Sequence, residues 1–317
     1  RHVIHEFRDT LLGGTIRHVE QLNPTAIAIK ISQANQTHYV LMSSHAVHAR
    51  THLIERPPKG QKQSYFAEFL MTHIGRGTIS DIEQIGWDRV LKITIRPHSD
   101  DPVETVPRAI IAEFMGKHSN IILTDESTGK ILQSIKHIDE SMSRHREILP
   151  GLTYIPPPQQ EKLDPLALDH ATFISLLEGL SEVDWRFLFN QIDGLSPMLA
   201  KEIIYRAGEP SGSEQLWHAY QEIIAHFDPA HSIPQVLVNR KDRNDSVAVS
   251  ASPLHQFPGT DKLSFDTMSG ALSFYYETVA IRETIQSERH ALNQALEKLM
   301  DAVDRKIVSL HQDLANA

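Results

Sequence analysis

Three histidines fall within the stretch Ser44-His45-Ala46-Val47-His48-Ala49-Arg50-Thr51-His52. On a helix, His45, His48 and His52 would share a face, and three imidazoles on one face can hold zinc. The cluster contains no carboxylate, the chain has no cysteine, and the residues before it look strand-like. The segment is therefore expected to hold no metal and no cofactor. His45, Arg50 and His52 are read as structural or RNA-contacting residues.

Gly86-Trp87-Asp88-Arg89 lies between strand-like runs at 79–85 and 90–95, so it reads as a turn. Neighbouring residues on a strand point to opposite faces, but in a turn Asp88 and Arg89 can both reach outward. Arginine offers a planar five-donor fork to phosphate or a base edge. Aspartate accepts from base amino groups or orients the arginine. The plain alternative is a solvated charge pair. In Glu113-Phe114-Met115-Gly116-Lys117-His118-Ser119-Asn120, Gly116 permits a tight turn. Lys117, His118 and Asn120 are donors suited to phosphate or a base, and an exposed Phe114 or Met115 would stack on nucleotides. A plain hairpin with one core phenylalanine explains the pattern equally well. Ser141-Met142-Ser143-Arg144-His145-Arg146 adds a basic loop with Arg144 and Arg146. Gly194-Leu195-Ser196-Pro197 is a turn of the kind that presents backbone amides to phosphate, or a simple helical connection. Gly-x-Ser-x-Gly, phosphate-loop, dinucleotide and His-Glu-x-x-His signatures do not occur. Without cysteine there is no thiol nucleophile. The chain does not read as an enzyme.

These residues need elements to carry them. Helical spacing covers 2–12 and 64–74, and the rest of the first half reads as strands at 16–19, 26–31, 39–42, 79–85, 90–95, 108–114, 120–124 and 131–135. The three prolines at 156–158 mark a boundary. Beyond it helices are expected at 169–180, 187–192, 198–207 and 214–226, with Ser196 as an N-cap before Pro197. Strands return at 235–239 and 246–250, joined through 241–245, as a hairpin packing back on the first unit. Leu292, Leu296, Leu299, Val303, Ile307, Leu310 and Leu314 then step by threes and fours, close to a heptad seam. Ile281 and Ile285 extend it upstream. The seam predicts an arm projecting from about residue 281.

The chain has 317 residues and a net charge of −9. Its first 150 residues hold 18 Lys/Arg against 17 Asp/Glu and 12 of the 19 histidines; the remainder holds 13 against 23. Only the first half can offer a basic face, and it must be a folded surface because no basic tail exists. Runs such as Ile121-Ile122-Leu123 are too short to span a bilayer. No signal segment opens the sequence. The absence of cysteine excludes a disulfide framework and suits the cytoplasm. The start at Arg1 and the open helical pattern at the end suggest part of a longer protein.

Seven stretches, taken in order, resemble the NFACT family, also called fibronectin-binding protein A-like. They are Leu11-Leu12-Gly13-Gly14-Thr15-Ile16, Ser44 through Leu53, Ile85-Gly86-Trp87-Asp88-Arg89-Val90, the Glu113 to Leu123 string, Ser134-Ile135-Lys136-His137, Ile148-Leu149-Pro150-Gly151, and Gly194-Leu195-Ser196-Pro197 with Ala200, Glu202 and Ile203. Met115-Gly116-Lys117-His118-Ser119-Asn120-Ile121-Ile122-Leu123 is the most specific. The resemblance implies an α+β chain in four parts. These are a β-rich unit at 1–168, similar in fold to formamidopyrimidine-DNA glycosylases, and a helix–hairpin–helix unit at 169–230. A returning hairpin at 231–278 and the start of a coiled coil at 279–317 follow. It implies a cytoplasmic ribosome-quality-control factor that binds the stalled large ribosomal subunit with peptidyl-tRNA. That factor would recruit tRNA, alanyl-tRNA in bacteria, for mRNA-independent C-terminal tailing. The family's tRNA-contacting positions fall on Asp88, Arg89, Glu113, Phe114 and Met115. The few residues that precede the first helix in the family are missing here. Two other functions compete: a fibronectin-binding adhesin exposed at the cell surface, and a DNA glycosylase suggested by fold alone.

Overall fold

The computed structural model describes residues 1–58, 64–98, 106–143, 145–158, 160–180, 182–208 and 210–316. Arg144 of the basic loop lies outside them.

The protein is α+β, dominated by one large antiparallel sheet. After α1 (His2–Leu11), strands β1 (Thr15–Asn23), β2 (Ala26–Gln33), β3 (Gln36–Ser43) and β4 (Arg50–Ile54) run as a meander. Helix α2 (Tyr65–Ile74) starts where the Ser64 hydroxyl accepts from the Ala67 amide. Strands β5 (Thr78–Gln84), β6 (Val90–Arg96), β7 (Arg108–Glu113), β8 (Asn120–Asp125) and β9 (Ile131–Ser134) form a second meander. The sheet order is β4-β3-β2-β1-β5-β6-β7-β8-β9. Its two halves join only at a short seam, where Thr15 faces Thr78.

One core unites the halves. Ile27, Ile29, Ile31, Val40 and Met42 meet Ile93, Ile95, Ile110, Ile121 and Leu123, with Phe7, Leu11, Phe66 and Leu70 from the two helices. The alternate residues Val90, Ala109, Ile111 and Ile122 bury a second face with Ile131 and Ile148. Strands β6–β8 are thus covered on both sides, which explains their uninterrupted apolar runs. Lys136, just past β9, reaches the Ser44 carbonyl at the end of β3, so the two halves also touch away from the paired seam.

Helices α3 (His170–Leu177), α4 (Trp185–Gln191), α5 (Pro197–Ala207) and α6 (Ser213–Ala225) enclose a separate core of Phe173, Leu188, Ile203, Tyr220 and Ile223. Asp169, Asp184 and Ser196 cap three of them, each accepting from the amide three residues on.

The returning segment differs from a two-stranded hairpin. Strands β10 (Gln235–Asn239), β11 (Asp242–Ser250) and β12 (Thr260–Ser264) form a sheet in the order β11-β10-β12. Val236 and Val238 meet Ala271 and Phe274 on one face, and Leu237 meets Met198 and Leu199 of α5 on the other. Helix α7 runs from Met268 to Ala315. It begins well before the heptad seam, because the Thr267 hydroxyl and the Glu6 carboxylate cap its first amides. Every described side chain from Ala280 onward is exposed.

Candidate functional site

Four chain segments that are distant in sequence meet near the ends of β3, β5, β7 and β9. The Phe114 amide donates to the Arg89 carbonyl at 2.9 Å, tying the turn after β7 to the turn after β5. The Lys136 ammonium bridges the Ser44 and Ser119 carbonyls. Gly116 lies so close to the 44–50 loop that an added Cβ would stand 3.5 Å from the Ala46 carbonyl.

Asp88 and Arg89 occupy the β5–β6 turn. It is closed by the Ile85 amide on the Val90 carbonyl at 3.0 Å and by the Gln84 side-chain amide on the Asp88 carbonyl at 2.9 Å. Arg89 is exposed, and its guanidinium makes no hydrogen bond or ion pair with any described residue. Asp88 is half-buried. Burial, and then the nearby Asp193 carboxylate, raise its pKa above the ordinary value against the pull of Arg89 and Lys162. Trp87 anchors the turn to the helical unit. Its ring lies 5.8 Å from Phe227 and under the Arg1 guanidinium at 4.4 Å. A Cβ at Gly194 would come within 2.7 Å of it, so the φ of +69° and the missing side chain there let the 193–197 turn approach. The Asp-Arg turn therefore sits where the β-rich and helical units meet.

Several residues expected to face RNA point inward instead. Glu113 has no exposed surface; it accepts from both terminal nitrogens of Arg146, at 2.7 and 2.5 Å, and from the Tyr154 hydroxyl at 2.8 Å. Arg146 also donates to the Ile155 carbonyl at 2.7 Å. This pair ties Ile155 and the Arg146 stretch to β7. Phe114 is a core residue at 8% exposure. Asn120 is buried: its side chain donates to the Lys136 carbonyl at 2.8 Å and accepts from the Ile121 and Lys136 amides. Of the same string, Lys117 and His118 are exposed and Met115 is half-buried.

The histidine cluster is a loop leading into β4, not a helix. His45 and His48 stack at 5.2 Å, and the His48 Nε2 meets Glu283 of α7 at 2.7 Å. His52 is buried and stacks on Tyr276 of α7. Burial, then the Arg50 charge, lower its pKa to about 3. Arg50 lies 4.1 Å above the Tyr276 ring. Burial pushes the Tyr276 pKa up, although Arg50 and Arg89 both favour its ionised form. The described residues contain no group of three or more acidic or histidine side chains placed to hold a metal. Among them no helix is long and apolar enough to cross a membrane.

Sequence reasoning missed Tyr276, Lys136 and Trp87 as organisers. Tyr276 stands in the run Phe274-Tyr275-Tyr276, an aromatic cluster at the root of a helix that was available as a signal. Lys136 had none.

Residues 1–317 match the family described as NFACT N-terminal and middle domains, and the chain belongs to that family. Among curated relatives, the Rqc2 homolog RqcH of Streptococcus suis (strain 05ZYH33) is 28% identical over 320 residues, covering 99% of this chain and 54% of the relative. The Rqc2 homolog RqcH of Bacillus subtilis (strain 168) is 30% identical over 295 residues, covering 92% and 50%. The chain thus spans about half the length of these relatives. Among solved structures, the fibrinogen binding protein from Staphylococcus aureus superposes with a TM-score of 0.72 at 28% identity, over 86% of this chain and 94% of that one. The N-terminal part of the fibronectin/fibrinogen-binding protein from Streptococcus suis gives 0.69 at 28% identity, over 87% and 96%.

Proposed function

We propose that this chain is the tRNA-reading half of a cytoplasmic ribosome-quality-control factor, acting without hydrolytic chemistry. The observation that carries the reading is Arg89. It is an exposed guanidinium without a partner among the described residues, set beside Asp88 on a turn braced by Trp87. Lys117, His118 and Met115 stand on the adjoining turn and extend the same surface. Glu113, Phe114, Asn120 and Arg146 support that surface from below. The whole protein would bind the stalled large ribosomal subunit with its peptidyl-tRNA and recruit alanyl-tRNA for C-terminal tailing. In the same reading, 1–168 is a glycosylase-like β-rich unit and 169–230 a helix–hairpin–helix unit. Residues 231–278 link them to the coiled-coil arm that begins at 279–317. The exposed length of α7 supports the arm.

The test is Asp88→Ala with Arg89→Ala in the full-length protein. Stability changes by about 0–1 kcal/mol, as for an exposed charge pair. A bidentate arginine contact is worth about 1–3 kcal/mol, so co-purified tRNA falls roughly ten- to a hundredfold. Co-sedimentation with large subunits persists. Undiminished tRNA recovery sinks the assignment. The names of the solved relatives favour a second reading, fibronectin binding at the cell surface. If that alone is the function, capture by immobilised fibronectin occurs while no tRNA co-purifies with the unmodified protein.

A further inference from the structure

A cleft of ≈ 1520 Å³ opens between the β2–β4 side of the sheet and the first half of α7. Arg50 forms part of its wall. A guanidinium carries five N–H donors. The single acceptor that Arg50 finds among the described residues is the His48 carbonyl, 2.9 Å from Nη1. Its Nε is buried with no acceptor, and no carboxylate of a described residue pairs with it. The nearby Glu283 is engaged by His48 instead. Beside Arg50, His52 is 2% exposed and its Nδ1 also has no partner. Tyr276 packs against both side chains. Arg50 is a partly desolvated cation without a counter-ion in the wall of an open cleft, an arrangement that an anion completes through the remaining terminal N–H donors.

We propose that this cleft binds a nucleotide, with its phosphate on Arg50 and its planar body along the apolar wall of Leu41, Leu53 and Phe274. Tyr39 and Ser273 line the same cleft, and a hydroxyl is a further donor for a tetrahedral oxyanion. The space exceeds the roughly 300–1,000 Å³ of common small-ligand sites, so a nucleotide fits without crowding. Two sources carry this chemistry, a free mononucleotide and a nucleotide within an RNA strand. The proposal does not rest on the tRNA reading of Asp88 and Arg89: these lie on the β5–β6 turn and do not line the cleft, although the Arg89 charge is felt at Tyr276.

Isothermal titration of the full-length protein tests it, with adenosine 5′-monophosphate, inorganic phosphate, acetate and a short single-stranded RNA ending in a 5′-hydroxyl. The variants are Arg50→Gln and Asp88→Ala with Arg89→Ala. The mononucleotide is expected to bind more tightly than phosphate, and acetate not to bind. Arg50→Gln weakens nucleotide binding at least tenfold, whereas the Asp88/Arg89 variant retains it. Arg50-dependent binding of the RNA but not of the mononucleotide assigns the phosphate to a strand and keeps the site. Phosphate binding as tightly as the mononucleotide overturns the nucleotide assignment, and equal binding of acetate overturns the phosphate one. Without ligand, Arg50→Gln should melt no lower than the unmodified protein, because it removes an uncompensated charge. A markedly lower melting temperature makes Arg50 a strut and overturns the proposal. So does an unmodified protein that shows neither heat nor a raised melting temperature with the mononucleotide or the RNA.

Discussion

Glu113→Ala separates a strut from a contact. The carboxylate is wholly buried and receives three hydrogen bonds, two from Arg146 and one from Tyr154. The Arg146 side chain is itself only 10% exposed. Among the described residues, truncation leaves the guanidinium with the Ile155 carbonyl as its one acceptor and the phenol with none. Removing one member of a buried pair costs about 3–5 kcal/mol. Glu113→Gln keeps an acceptor oxygen and loses charge assistance, at about 1.5–3 kcal/mol. At about 2–4 °C per kcal/mol, the alanine variant melts roughly 6–20 °C lower. Combining Glu113→Leu with Arg146→Met recovers much of that loss, since an apolar pair of similar volume is often neutral. The assay is differential scanning calorimetry alongside tRNA recovery from the full-length protein. Recovery should track stability and return in the double variant. An alanine variant with an unchanged melting temperature but no tRNA would refute the reasoning and make Glu113 a direct contact.

Three further outcomes follow, two from buried groups and one from a close backbone approach. His52 has a folded pKa of about 3, against 6.5 for the free side chain. Its contribution is complete above pH 6.5 and declines by about 1.4 kcal/mol per pH unit below it, as the unfolded chain takes up the proton. His52→Gln should therefore flatten the slope of denaturant-derived stability between pH 6 and 4 by one proton's worth; an unaltered slope contradicts the burial. Glu202 is wholly buried. Burial raises its pKa, but Arg206 and the His255 and Gln256 amides outweigh that and hold it below 4.5. Its stabilisation is present above pH 4.5 and lost as the pH falls through the folded value, so Glu202→Gln should lower neutral-pH stability and blunt the acid transition followed by tryptophan fluorescence. Gly194→Ala places a Cβ against the Trp87 ring at a φ of +69°. The backbone alone costs about 1–2 kcal/mol, and displacement of Trp87 should shift its emission; identical spectra would show that the contact does not form.

The Asp88-Arg89 turn was legible in the sequence because a hairpin is local: alternating residues on either side of a glycine place the turn without knowledge of the rest of the chain. The same holds for Ser196-Pro197 opening α5, and for the three-and-four spacing that runs to Leu314 in α7. Strand β12 was not legible, since Thr260-Asp261-Lys262-Leu263-Ser264 is polar and becomes a strand only by pairing with β10.

The donor-rich string from Glu113 to Asn120 marks the limit. Its composition suggests a polar surface, yet only Lys117 and His118 are fully exposed. Which side of β7 and β8 faces water depends on the 138–155 segment closing over their second face, and on Arg146 arriving 33 residues downstream to neutralise Glu113. Tyr276 likewise comes from α7 to cover Arg50 and His52. The sequence by itself determined the turns, the helix ends and the strand alternation, because those depend on neighbours within a few residues. Only the tertiary structure decided which polar groups are buried struts and which are left to meet a partner, because burial and charge pairing are set by segments far apart along the chain.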